Sequence, residues 1–271
     1  MMKKFVKKIV KNRKEFYVTG YYSSFKQRIK KIFVPSHPGS LWEKVNNNKW
    51  ENETFAIFDR FIDEDHSYID IGAWIGPTAL YGCQIARHCY AIEPDPVAFK
   101  MLQENINLNP NLKDKITLCR VCIGDICGNI RLGSNSKFGD SMSSMLFDKS
   151  AKSVIVRAIT LNRFIKMHNI DDCNFIKMDI EGGEVIVLPN IKKYLQKNKP
   201  TLHLSLHPFN FKDLKRDSNV ITNVLKIYRN IFDNKGELID LKYLFNEVLL
   251  KAKSYDIVAT DREWTKIKNK S

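Results

Sequence analysis

The chain has 271 residues, 44% of them apolar, and a formal net charge of +14. That length supplies one large core or two small ones. No apolar run approaches the roughly 18 residues of a membrane span, and the basic N-terminus lacks the apolar h-region of a secretory signal. The basicity is local: residues 1–31 carry eleven Lys and Arg against Glu15 alone, which leaves +4 for all the rest. A polyanion-binding surface spread over the whole molecule is therefore excluded, and an arm that contacts polyanions or a membrane surface is not.

Taken in chain order, residues 1–50 read as a basic N-terminal extension. Phe5, Val6, Ile9 and Val10 would share one face of a short helix with lysines on the others. Two readings stand: a membrane-surface or polyanion contact, or a solvated arm. The turn residues Pro35-Ser36-His37-Pro38-Gly39 end it. Residues 51–271 form the second unit. Phe55, Ile57, Phe58 and Phe61 suggest a helix leading into the first strand. Strands are expected at 67–71, 89–93, 116–123, 174–179, 201–206 and 255–260, with helices near 77–87, 96–108, 184–197 and 217–232. Such alternation predicts an α/β fold with a mostly parallel central sheet and helices on both faces. Pro77 and Pro96 suit first helical positions, and Asp95 can cap the second helix, whose expected buried stripe is Ala98, Met101, Leu102 and Ile106. Between 128 and 160 the alternation breaks into a strand pair around residues 133–150, either a lid or acceptor-binding loop or a plain hairpin connection. The six cysteines read as reduced core thiols in a cytosolic protein, and Cys119, Cys122 and Cys127 lack the second pair a zinc knuckle needs.

Four places carry candidate chemistry. Asp70-Ile71-Gly72-Ala73-Trp74-Ile75-Gly76-Pro77 reads as strand, tight loop and helix start. Gly72 and Gly76 would leave backbone N–H groups free for an anionic ligand. A dinucleotide loop wants glycine where Trp74 stands, and a P-loop wants a Lys after Gly76. Turn-making glycines explain the pair equally well. Glu93, 23 residues after Asp70 at the tip of the next strand, can accept both hydroxyls of a ribose; the alternative is a surface Glu before Pro94. Asp125, after the third strand, could accept from an adenine amine or serve a turn. The run Ile176-Lys177-Met178-Asp179-Ile180-Glu181-Gly182-Gly183-Glu184 brings Asp179 and Glu181 to the carboxyl edge of the sheet, where ligands bind in open α/β folds. Glu184 reads as structural support for a helix N-terminus. His207, at the end of Thr201–His207, is a candidate base or a turn histidine, whereas His203, four residues back, reads as a hydrogen-bonded interior group. A divalent metal on Asp179 and Glu181 has no third ligand indicated, and the metal question is left open.

Together these pieces resemble the FkbM-type methyltransferases, which are S-adenosylmethionine-dependent enzymes of the Rossmann-like class I fold. The resemblance spans about residues 54–208. It rests on Asp70 to Gly76, on Ala91-Ile92-Glu93-Pro94-Asp95-Pro96 with Phe99 and Asn105, on Gly124-Asp125 with Gly128, and on Ile176 to Glu184. In the family pattern an Asn usually stands at the place of Trp74 and an Ala at that of Gly183. The resemblance implies S-adenosylmethionine as cofactor, bound by Asp70, Gly72, Ala73, Trp74, Gly76, Glu93, Pro94 and Asp125. It implies O-methylation of a hydroxyl, often on a sugar; for the general base that such a hydroxyl would use, Asp179, Glu181 and His207 are the candidates read from the residues themselves. The expected acceptor is a small molecule or glycan, with no stable protein partner, in the cytoplasm or at its membrane periphery. Two alternatives are carried. One is a nucleic-acid methyltransferase, although Asp179-Ile-Glu181-Gly stands where an Asn/Asp-Pro-Pro-aromatic run would be expected. The other is a non-catalytic cofactor-binding protein tethered by its arm.

Overall fold

The computed structural model describes residues 5–11, 14–20, 41–46 and 49–264. The first elements correct an expectation. In place of a helix there is a two-stranded antiparallel ribbon, β1 (Phe5–Lys11) and β2 (Lys14–Gly20), with Phe5 opposite Gly20 and Lys11 opposite Lys14. Val6, Ile9, Val10 and Val18 are β-branched, and a helix this short is marginal in water. The turn expected at Pro35–Gly39 lies outside the described residues. Two helices follow, α1 (Leu41–Asn46) and α2 (Asn52–Phe61). Among the described residues no helix is long and apolar enough to cross a membrane.

The main sheet is the expected doubly wound one. Its parallel strands are β3 (Ser67–Ile71), β4 (His88–Ile92), β5 (Ile116–Cys119), β10 (Cys173–Met178) and β11 (Thr201–Leu206). β13 (Tyr255–Thr260) runs antiparallel to both β11 and β12 (Asn230–Asp233). The order is β12-β13-β11-β10-β3-β4-β5. The chain winds outward from β3 in both directions, so the β3/β10 boundary is the topological switch point, the usual ligand crevice of such sheets. A second sheet, β6-β9-β7-β8, is built from β6 (Cys122–Gly124), β7 (Gly128–Ser134), β8 (Ser143–Ser144) and β9 (Ser153–Thr160).

Two apolar layers sandwich the main sheet. Ile57, Phe58, Leu80 and Leu102 lie on one face, from α2, α3 (Pro77–Gly82) and α4 (Pro96–Asn107). Phe164, Val187, Leu188 and Ile221 lie on the other, from α5 (Leu161–Met167), α6 (Glu184–Asn198) and α7 (Leu214–Leu225). Four expectations shift, the first being the helix expected near 77–87, which ends at Gly82. The strand expected at 116–123 is broken at Arg120-Val121, and its halves join different sheets. The helix expected at 217–232 runs from Leu214 to Leu225, and Asn230 to Asp233 form β12 instead. In α4, Met101 faces solvent at 40% exposure and Phe99 takes its place in the buried stripe.

Candidate active site

The strand tips of β3, β4 and β10 surround a cavity of about 250 Å³. Gly72, Ala73, Trp74, Glu93 and Pro94 line one side; Lys177, Asp179, Glu181 and His207 line the other. Asp70 and Gly76 lie outside the lining, and so does Asp125, in an exposed turn three residues past Cys122, which does line it.

Asp70 supports the loop from below. It is fully buried, and its Oδ2 accepts from the Thr78 hydroxyl at 2.7 Å, which ties the end of β3 to the first turn of α3. Its Oδ1 faces Lys177 Nζ at 3.4 Å. Lys177 also donates to the Gly72 carbonyl at 3.2 Å and lies 3.6 Å from Asp179. Burial alone would neutralise that ammonium, but Asp70 and Asp179 outweigh it and hold Lys177 protonated, above its ordinary range. Lys177 was not among the candidates from sequence; a lysine between Ile176 and Met178 near the end of β10 was the available signal.

Gly72 has no substitute. Its φ is +84°, and a Cβ there would stand 1.9 Å from the Asp179 carbonyl oxygen. At Gly76, φ +94°, a Cβ would strike the Leu102 side chain at 2.5 Å. The loop is not, however, the bare-backbone cradle expected. The amides of Gly72 and Ala73 both donate to the Ile92 carbonyl at 3.0 Å, and Gly76 N–H donates to Ala73 O at 2.9 Å. The Trp74 amide donates to Glu93 Oε2 at 2.8 Å. With these amides spent internally, the loop offers little to a phosphate.

Glu93 is the polar anchor of the lip. It is 6% exposed; Oε2 takes the Trp74 amide and Oε1 the Asp95 amide, each at 2.8 Å. Burial pushes its pKa up to about 7 while both amides pull the other way. Each oxygen keeps a lone pair free, so the carboxylate can still accept two hydroxyl hydrogens from the cavity.

Trp74 has φ +49°, the left-handed region that bulky residues avoid and asparagine tolerates. Such strain is concentrated at functional sites, and here the indole has a partner: Nε1 donates to the Gly139 carbonyl at 3.0 Å. Asp95 completes the tie. Its Oδ1 caps α4 through the amides of Val97 and Ala98, and its Oδ2 accepts from Gly139 N–H at 2.8 Å and the Ser143 hydroxyl at 2.9 Å. The 133–150 segment is thereby pinned over the cavity, where Asp140, Ser141 and Ser143 form part of the wall. Trp74→Asn is expected to preserve the turn and the amide bond to Glu93 but free this segment. Hydrogen exchange of the amides around 139–143 should speed up severalfold with cofactor affinity little changed, and unchanged exchange would deny Trp74 this part.

Opposite, Asp179 N–H donates to Ile71 O at 3.0 Å, which fixes Asp179 at the switch point. Glu181 has φ +54° and is steadied by Asn210 Nδ2, which donates to its Oε2 at 3.2 Å. His207 stands between these acids, with Nδ1 3.9 Å from Asp179 and Nε2 3.7 Å from Glu181. Both separations exceed a hydrogen bond, and Nδ1 is buried without a hydrogen-bond partner. Burial tends to lower the His207 pKa, but Asp179, Glu181 and Glu184 together raise it above the ordinary value. Glu184 is buried and accepts the Ile180 amide at 3.0 Å, the helix-entry support expected of it. His203 departs from expectation: it is buried edge-on to Phe58, yet neither ring nitrogen has a hydrogen-bond partner, and burial drives its pKa down to about 3. Among the described residues, the grouping able to hold a metal is Asp179, Glu181 and His207, with ligand atoms within 4.8 Å of one another. The Lys177 ammonium beside Asp179 competes with a cation there.

Hexuronic acid methyltransferase AglP of Haloferax volcanii is 21% identical over 193 residues, which cover 70% of this chain and 77% of that protein. The crystal structure of methyltransferase FkbM from Methylobacillus flagellatus aligns with a TM-score of 0.46 at 19% identity, over 80% of this chain and 52% of that one, so this chain spans about half its length. A putative methyltransferase from Streptococcus mutans, solved in complex with SAH, aligns with a TM-score of 0.45 at 10% identity, over 76% of this chain and 94% of that one. The methyltransferase FkbM domain matches residues 70–245, which take in the loop, Glu93, the Asp179–Glu184 run and His207. With the strand order of the main sheet, that match makes this chain a methyltransferase of the FkbM family, with the Rossmann-like class I fold.

Proposed function

We propose that the protein uses S-adenosylmethionine to methylate a hydroxyl of a sugar or glycoconjugate. The observation that carries this reading is Glu93, a buried carboxylate with spare acceptor capacity, facing Asp179, Glu181 and His207 across one cavity. The cavity fits the cofactor by charge and by what it lacks. Its lining carries Glu51, Glu93, Asp140, Asp179 and Glu181, against His207 and a Lys177 already paired. A diol-bearing cation with no phosphate suits such a wall, and Gly72 and Ala73 leave room for it at the lip.

When bound, S-adenosylmethionine supplies an activated methyl group whose leaving group is a neutral thioether. The chain then has to align acceptor and donor, which is worth roughly 7–11 kcal/mol of barrier when well done. Glu93 holds the ribose. His207, neutral, takes the proton of the acceptor hydroxyl at its unpartnered Nδ1, and Asp179 and Glu181 stabilise the imidazolium that results. Lys177 keeps Asp179 and the Gly72 turn in register.

Calorimetric titration with S-adenosylhomocysteine tests the cofactor half. Glu93→Ala removes a charged acceptor of two hydrogen bonds, so affinity should fall about 10–100-fold. Binding unaffected by the substitution, or no binding to the unsubstituted chain, would overturn the reading.

A further inference from the structure

A second cavity, of about 290 Å³, opens at the same edge of the sheet. It shares Glu51, Asp179 and His207 with the first and extends under the β11 and β13 ends of the sheet. β13 runs antiparallel, so its first residues arrive at the rim where β11 stops, with Ser205 opposite Asp256 and Leu206 opposite Tyr255. The groups lining both cavities stand between them, and these include the very pair, Asp179 and His207, assigned to the acceptor proton.

The wall of this second chamber has a definite chemistry. Ser205, Ser254 and Tyr255 contribute hydroxyls, Asn234 an amide, and Glu51, Asp179 and Asp256 carboxylates. Among the described residues, Leu206 is its one aliphatic member and no Lys or Arg lines it. Among the described residues, flat aromatic acceptors have only Tyr255 and the His207 ring to stack on, whereas hydroxyl groups find several donors and acceptors. A carboxylate or phosphate on the acceptor would be desolvated against three acids, of which Asp179 is already paired with Lys177, and one imidazole, while an amine would find Glu51 and Asp256 as partners. Glu51, Ser254, Tyr255 and Asp256 lie outside the matched residues 70–245.

We infer that this second chamber is the acceptor site, and that it selects a polyol bearing an amine over one bearing a carboxylate. The inference rests on donor binding in the first cavity. It assigns Asp256 as a specificity-determining residue and Asp179 and His207 as the point of transfer between the two chambers. It also separates this chain from a hexuronate-specific enzyme and from one acting on a nucleic-acid backbone.

The test is ligand-observed NMR titration of the full chain, saturated with S-adenosylhomocysteine, using the methyl β-glycosides of glucosamine, glucose and glucuronic acid. The glucosamine glycoside should bind about tenfold or more tighter than the glucuronide, with the glucoside between them. Asp256→Asn should shrink that ratio and Asp256→Lys should invert it, with S-adenosylhomocysteine affinity retained in both to show that the fold is intact. Equal or tighter binding of the glucuronide, binding of none of the three, or a ratio indifferent to Asp256→Lys would overturn the inference. Titrating the glycosides without S-adenosylhomocysteine reads the charge preference of the chamber by itself, so its failure and a failure of donor binding are told apart.

Discussion

Replacing Lys177 with methionine is expected to cost the folded state about 3–5 kcal/mol, the range for removing one partner of a buried ion pair. Methionine keeps most of the length and apolar volume, so the loss would come from charge rather than from a hole. The reason lies in what Lys177 neutralises. Asp70 is wholly buried, and Lys177 at 3.4 Å is its cationic partner; without it the carboxylate must either stay charged in an apolar interior or take up a proton. Urea unfolding should show the loss at neutral pH and less of it in acid, where Asp70 is protonated in both states. The double substitution of Lys177→Met with Asp70→Asn should recover much of the loss, because both charges are then gone. A single substitution costing under about 1 kcal/mol, the worth of a surface pair, would show that solvent reaches Lys177. The same variant should also weaken S-adenosylhomocysteine binding, since the Gly72 carbonyl loses its donor at the lip.

Lys177 also shows where the sequence stopped being legible. Glycine spacing, proline at helix starts and acids at strand ends follow local rules, so the loop, the Asp95 cap and the β3-to-β11 alternation could be read from composition and pattern. The consumption of the loop amides could not. It depends on the Ile92 carbonyl, which belongs to the neighbouring strand, and only the sheet register brings it within 3.0 Å. Trp74 was opaque for a similar reason: its left-handed backbone is a local cost, and the Gly139 carbonyl that its indole meets is 65 residues away. The N-terminal ribbon failed differently. Phe5, Val6, Ile9 and Val10 satisfy a helical period, but strand pairing with Glu15 to Gly20 competes with it, and periodicity over so few residues does not decide between them. Asp125 looked like Glu93 in sequence, an acid just past a strand tip, yet β6 belongs to the smaller sheet, and Asp125 is exposed and outside the cavity lining that Cys122 of the same strand enters.

Substituting His207 with asparagine is expected to lower kcat about 10²–10⁴-fold, the usual worth of a positioned general base. S-adenosylhomocysteine affinity should stay the same, because Glu93, across the cavity, holds the donor. The pH dependence gives the sharper readout. The His207 pKa is raised, chiefly because Asp179 and Glu181 favour the imidazolium more than burial opposes it. The neutral base therefore predominates only above that raised value, and kcat/KM should climb tenfold per pH unit on the acid side of it before levelling. The same shift acts on stability in the opposite sense. A raised folded-state pKa stabilises the protein fully below the ordinary imidazole value of about 6.5, and this is lost as pH rises through the folded value. Activity should thus grow over the window in which the His207 contribution to stability disappears. Asp179→Asn removes the largest of the raising charges and should move the acid limb to lower pH, whereas His207→Asn should abolish the limb. A histidine that merely shapes the turn before Pro208 would leave the limb in place after substitution, and a profile unchanged in either variant would remove His207 from the chemistry.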